Sequence, residues 1–138
     1  AGSELDGRTI PYDASLEGLV SKKKDFIGKR SLNRSAFTST DREKLVGVVP
    51  IDKTTSIPEG SYIVKDPKAK LPNPKLGHVS ASCWSVEYDN PFSLAIIKDG
   101  KNMIGQKLFA MSPLKNKTIP VEIVSSHYVD PEGKRVRS

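Results

Sequence analysis

Between Leu45 and Val124 the chain repeats one pattern, short runs of β-branched and aromatic residues separated by Gly, Pro, Asn or Asp. Leu45-Val46-Gly47-Val48-Val49, ended by Pro50, reads as a buried strand, because branched side chains fit a pleated surface and proline cannot extend the hydrogen-bond ladder. The same reading applies to residues 62–64 after the Pro58-Glu59-Gly60 turn, and to residues 77–82, 92–97, 107–110 and 121–124. Runs spaced by roughly a dozen residues, with turns such as Asp99-Gly100, predict an all-β barrel or sandwich. Strands and helices do not alternate, which disfavours a doubly wound parallel sheet.

Ahead of Leu45 the pattern changes. Leu16, Leu19 and Val20 fall at helical spacing with Asp13 as a candidate N-cap, predicting a short helix over residues 12–20 that Gly18 weakens. Asp6-Gly7 marks a turn, and Pro11 pushes Ile10 into an extended conformation. Residues 21–32 read as a surface-laid hinge, with lysines in water and Phe26, Ile27 and Leu32 as anchors. A brief helix is expected over residues 28–34 and a loop over residues 35–40. The stretch from Pro67 to Pro74, punctuated by proline, reads as a surface loop. Residues 1–5 show no periodic apolar face.

A length of 138 residues and a hydrophobic fraction of 36% suit one domain with an N-terminal appendage. No run approaches the roughly 18 apolar residues that a membrane span requires, and no leader pattern opens the sequence. The expectation is a soluble, cytoplasmic protein in a reducing compartment. Cys83 has no second cysteine to pair with, and with only His78 and His127 beside it a zinc ligand set is lacking. Placed beside Trp84 at a strand end, it is expected to be a buried or half-buried thiol rather than a nucleophile.

The net charge is +6, and its placement is uneven. Lys22, Lys23, Lys24, Lys29, Arg30 and Arg34 form one cluster, while Lys115, Lys117, Lys134, Arg135 and Arg137 load the C-terminal part. Such patches are compatible with a solvated face, a nucleic acid, an anionic cofactor or an acidic partner. Phosphate-binding glycine motifs are absent. His78, inside a predicted strand, reads as structural, and His127 is the better candidate for a polar site. Asp13 and Glu17 would share a helical face, where such a pair is usually surface decoration. Nine aromatics are sparsely interleaved with basic residues, a weak basis for a nucleic-acid-binding barrel. Trp84, expected in a loop after its strand, reads as a core plug.

Two motifs carry a family resemblance: Thr9-Ile10-Pro11-Tyr12-Asp13-Ala14-Ser15-Leu16, and the run from Val20 to Leu32 containing Lys24-Asp25-Phe26-Ile27-Gly28-Lys29. With Gly47, the Gly77-to-Ser85 segment and Tyr128-Val129-Asp130-Pro131-Glu132-Gly133 following in order, the sequence resembles the C-terminal region of sarcosine oxidase α subunits. The wider family is that of the folate-dependent aminomethyltransferases, including the glycine-cleavage T-proteins. The resemblance implies a mainly β fold, a small six-stranded antiparallel Greek-key-like barrel over residues 41–138. An arm with a short helix precedes it over residues 1–40 as the tail of a folate-binding domain.

It further implies a role on the folate side of a multisubunit enzyme, where an oxidised methyl group of sarcosine passes to tetrahydrofolate to give methylene-tetrahydrofolate. No catalytic residue and no metal site is expected in this segment. The family's catalytic aspartate, an Arg-x-Glu-x-Gly segment and the FAD, FMN and NAD sites belong to sequence outside it, and the segment alone should be inactive. Tyr12, Asp13 and Trp84 are carried over as neighbours of the folate pocket. At the position where T-proteins often place a tryptophan, Gly18 stands, so a stacking partner is lost. Alternative readings are a T-protein-like aminomethyltransferase without flavin and a small basic barrel that binds nucleic acid.

Overall fold

The computed structural model describes residues 4–69 and 74–137. Six strands form the bulk of it: β1 Glu43–Pro50, β2 Tyr62–Val64, β3 Gly77–Ser85, β4 Asn90–Lys98, β5 Lys107–Ser112 and β6 Lys117–Val124. They close into an antiparallel barrel in the order β1-β4-β3-β2-β5-β6, with β6 returning to β1. Closure gives every strand a neighbour on both sides over at least part of its length, which limits edge-to-edge association. All six predicted runs are strands, and the six-stranded fold class is the observed one.

Alternation decides which side chains face inward. Along β4, Ser93, Ala95 and Ile97 are buried, while Phe92, Leu94 and Ile96 between them are half-buried. Val46 and Val48 of β1, Ile63, Val79, Leu108, Ala110 and Ile119, Val121, Ile123 of β6 complete one apolar cluster, to which Ile57 is added from the β1–β2 connection. Two glycines are required by close approach. A Cβ on Gly77 would lie 1.9 Å from the carbonyl oxygen of Ile96, and one on Gly47 would lie 2.5 Å from that of Ser125.

Between Val79 and Ala81 the register of β3 against β4 slips by one residue, a β-bulge at Ser80. Beyond it, residues 81–85 pair with β4 alone, so the hairpin runs past the β2 edge. Trp84 sits in this hairpin, within β3 rather than in a loop, and is 52% exposed, its indole N–H donating to Asp89 Oδ1 at 3.2 Å. It is not a core plug, because no second strand covers it. Cys83 beside it is exposed for the same reason, against the expectation of a buried thiol.

The arm departs further from the predicted elements. Residues 12–20 contain one 3₁₀ turn, Glu17–Leu19, instead of a helix, since Ser15 takes a left-handed φ of 59° that interrupts any helical run. Residues 28–34 hold a second such turn, Ser31–Asn33, and the short helix, α1, lies at Ser35–Thr38 where a loop was expected. There the Arg34 carbonyl accepts the Phe37 and Thr38 amides at 2.8 and 3.1 Å, and the Phe37 ring lies under the Arg42 guanidinium at 5.3 Å. Of the three expected anchors Ile27 is fully exposed and anchors nothing, whereas Phe26, 39% exposed, and Leu32 are partly covered. The loop is shaped instead by Lys29 Nζ, which donates to the carbonyls of Lys22 (3.2 Å) and Lys24 (2.7 Å). Of the proline-punctuated loop, residues 70–73 lie outside the described residues.

After β6 the chain returns across the barrel wall. Tyr128 stacks on Phe92 with ring centroids 4.7 Å apart, and its hydroxyl accepts from Asn90 Nδ2 at 3.1 Å. A last short helix, α2 Lys134–Arg137, starts where Asp130 accepts the Lys134 and Arg135 amides, each at 2.9 Å.

Candidate functional site

β-strand parity positions the junction between arm and barrel. Arg42 and Lys44 share parity with the core residues Val46 and Val48, so they continue the inward face of β1 past the apolar cluster. Cations at that position need an anion, and the arm supplies Asp13. Its carboxylate is 6% exposed and accepts from Arg42 Nε at 3.1 Å, from Lys44 Nζ at 2.9 Å and, through a short contact, from Arg42 Nη2. The Ile10 amide fills a fourth position at 3.1 Å. The backbone joins in: Leu45 N–H donates to the Asp13 carbonyl at 2.6 Å, and Ser15 Oγ donates to the Leu45 carbonyl at 2.9 Å.

Burial alone would raise the Asp13 pKa, but the hydrogen bonds from Arg42 and Lys44 outweigh it and hold the carboxyl below its ordinary value. With both oxygens engaged by four donors, Asp13 is a fixed anion rather than a free base. It is neither the N-cap nor the surface decoration that its spacing from Glu17 suggested. Arg42 also donates to the carbonyls of Arg8 (3.0 Å) and Ala36 (3.2 Å), tying three stretches of the arm to one guanidinium. A cleft of about 290 Å³ flanks this junction, with His78 and Ile96 on its barrel side.

Tyr12, next in sequence to Asp13, faces a different space. It lines an open groove of about 870 Å³ whose walls include Gly18, Val20, Phe26 and Lys22 to Lys24. A Cβ on Gly18 would meet no atom within 4 Å, so the groove has room for a side chain there. At its edge Glu17 is paired with Lys101 of the barrel. Burial raises the Glu17 pKa, and the Lys101 hydrogen bond, with a smaller contribution from His127, brings it below the ordinary value. Trp84 lines neither space, so of the three carried-over residues Tyr12 alone lines the groove, and Asp13, facing the cleft, latches the arm that presents it.

Arg42 and Lys44 were not singled out from sequence, although a period-2 reading extended backward from Val48 through Val46 would have placed them on the core face. Among the described residues no group of three His, Cys, Asp or Glu side chains could hold a metal ion. No helix among them is long and apolar enough to cross a membrane.

Residues 43–130 match the glycine cleavage T-protein C-terminal barrel domain. The chain belongs to that family. Its similarity to sarcosine oxidase subunit alpha reaches almost end to end: 37% identity over 136 residues with the protein of Corynebacterium sp. (strain P-1), and 34% over 136 residues with that of Rhizobium meliloti (strain 1021). Each alignment covers 97% of this chain and 14% of the relative, so the chain spans a small part of those proteins. An aminomethyltransferase of Thermosipho melanesiensis (strain DSM 12029 / CIP 104789 / BI429) is 27% identical over 123 residues, which is 89% of this chain and 31% of that one. The glycine cleavage system aminomethyltransferase T of Bartonella henselae has the same fold. Its crystal structure superposes with a TM-score of 0.70 over 94% of this chain and 34% of that one, at 21% identity.

Proposed function

We propose that this chain is the C-terminal part of a sarcosine oxidase α subunit and forms one wall of its folate-side cavity. The observation that carries the reading is the reach of the similarity: 34 to 37% identity with sarcosine oxidase α subunits extends over 97% of the chain, arm included. The barrel is then a rigid support, and the arm, latched by Asp13, presents the groove bearing Tyr12. In the whole cytoplasmic enzyme, with its other subunits, tetrahydrofolate would supply the nitrogen acceptor for the one-carbon unit released by sarcosine oxidation.

The residues present suit a flat heteroaromatic. Tyr12 and Phe26 offer ring surface, and the open space over Gly18 leaves room for a tryptophan side chain that could stack on a bound ring. This chain's own contribution is to orient and shield; Asp13, fully hydrogen-bonded, moves no proton.

Titration of the chain with 5-formyltetrahydrofolate, followed by amide chemical shifts, tests the proposal. Perturbation centred on Tyr12 to Val20 supports it, and Gly18→Trp should tighten binding by about five- to tenfold, a gain of about 1 kcal/mol from restored stacking. Trp84 fluorescence should stay flat, because the indole lies outside the groove. A titration that leaves the arm unperturbed in both the parent chain and the Gly18→Trp variant would overturn it.

A second reading, a T-protein-like aminomethyltransferase without flavin, is favoured by the 27% identity with the Thermosipho protein. Both readings share the folate groove, and a flavoprotein complex co-purifying with the full-length protein separates them.

A further inference from the structure

The sequence from Ser21 to Arg34 contains six basic residues against Asp25 alone, so 14 residues hold five of the chain's six net positive charges. Elsewhere cations and anions nearly balance, and several are paired across the fold, as in Arg135 with Glu87 and Lys101 with Glu17. Among the described residues no carboxylate lies within ion-pair distance of Lys22, Lys23 or Lys24. Lys29 alone of the four lysines is satisfied internally, on the carbonyls of Lys22 and Lys24, and by doing so it bends the other three into an exposed arc.

This stretch and the residues just before it display apolar side chains that the fold does not bury. Ile27 is fully exposed, Leu19 is 81% exposed, and Leu16 and Phe26 are about 40% exposed. Gly28, at φ 93°, holds the turn that projects Ile27 outward. An apolar projection ringed by like charges with no counterion of its own is the arrangement found where a protein contact has an apolar anchor and an electrostatically complementary rim.

We infer that the loop from Leu19 to Leu32 is a docking surface for an acidic protein segment, one whose carboxylates meet Lys22, Lys23 and Lys24 while an apolar residue covers Ile27. Charge complementarity selects a protein over a phosphate backbone here. Phosphate contacts need no apolar anchor, and Phe26 is a single ring beside Ile27, where base stacking draws on several exposed aromatics. Lys22 to Lys24 also border the groove, but the inference needs neither Tyr12 nor Gly18 and rests on Ile27, which lies outside the groove lining.

The test is a binding titration of the chain with a fluorescein-labelled 12-residue peptide of glutamates flanking a central Leu-Phe pair. Hexaglutamate, inorganic phosphate and a 12-nucleotide single-stranded DNA serve as comparison probes. The peptide should bind with amide shifts at Leu19, Lys22 to Lys24 and Ile27, and should weaken severalfold as salt rises from about 20 to 200 mM. The triple variant Lys22→Gln/Lys23→Gln/Lys24→Gln should lose at least about tenfold in affinity and Ile27→Ser about fivefold, while Lys115→Gln/Lys117→Gln should lose none.

Equal losses in the Lys115/Lys117 control would mean diffuse charge attraction and overturn the inference. So would hexaglutamate binding as tightly as the peptide with no dependence on Ile27, DNA binding more tightly at the same residues, or the absence of any shift in the loop. A folate titration that fails while the peptide binds would sink the folate groove and leave this surface standing.

Discussion

The barrel is held by a continuous apolar cluster from Val46 on β1 to Ile123 on β6, whereas the arm reaches the barrel through one buried carboxylate and two cations. The contrast has a physical origin. Apolar burial is non-directional and spreads its contribution over many side chains, so the barrel tolerates small errors and unfolds as a unit. The arm has few buried apolar groups, Ala14 being one, and its order depends on polar contacts centred on Asp13 and Arg42. Its predicted behaviour is that of a separable cooperative unit, able to open while the barrel stays folded.

The largest expected effect breaks the barrel side of this comparison. Ile97 is fully buried near the C-terminal end of β4, and Ile97→Ala removes its branched chain from the apolar cluster. A loss of about 4 kcal/mol is expected, read as a lower denaturant midpoint at which arm and barrel signals disappear together. Ile27→Ala, in the exposed loop, should leave the midpoint within about 0.5 kcal/mol of the parent chain. If the two substitutions cost the same, stability is not concentrated in the barrel.

Next in size is the latch. Asp13→Ala leaves Arg42 and Lys44, with side chains 21% and 15% exposed, facing each other without their anion. Breaking a partly buried ion pair from one side should cost about 2 kcal/mol of arm docking, less than for a fully buried pair because both cations can swing to water. Hydrogen exchange distinguishes this from a core defect. The Leu45 amide, which donates to the Asp13 carbonyl, should lose protection, and that of Val79 should keep it. Loss at both positions would show that arm and barrel are one cooperative unit.

How far this was legible in sequence follows the same division. A strand announces itself locally, by branched residues such as Val48 and Val49 and by a proline or glycine after them, and so all six could be placed. Asp13 is joined to residues 29 and 31 positions away, and nothing in its neighbourhood reveals that. Its spacing from Glu17 suggested a helical face, but Ser15 adopts the left-handed region and turns the chain back toward Leu45. Trp84 was misplaced for a related reason. Whether a strand end is covered depends on how far its neighbour extends, and β2 stops after three residues.

A milder way to open the latch is acid. Because the docked Asp13 carboxyl titrates below its ordinary value, near 3.9 for a free side chain, the undocked state takes up the proton first as pH falls. The docking contribution is therefore complete above about pH 4 and shrinks as pH descends toward the folded-state pKa. Glu17, likewise depressed, acts in the same direction. Amide exchange at Leu45 should accelerate below pH 4 after correction for the intrinsic rate, and Asp13→Ala should remove most of that acceleration, leaving the smaller part due to Glu17. An unchanged acid response in the variant would assign it to other carboxylates.

The smallest effect concerns the arm's second tether, Glu17 to Lys101, whose side chains are 45% and 42% exposed. Water and salt screen a pair this open, and both side chains lose rotamer freedom in forming it, so a double-mutant cycle of Glu17→Gln and Lys101→Met should return a coupling of about 0.5 kcal/mol or less. The value matters because the pair lies beside the groove lined by Tyr12 and Gly18, where it could fix the groove's width without adding stability. A coupling above about 1 kcal/mol would mean that the arm is clamped at both ends, and the division between an apolar barrel and a singly latched arm would have to be abandoned.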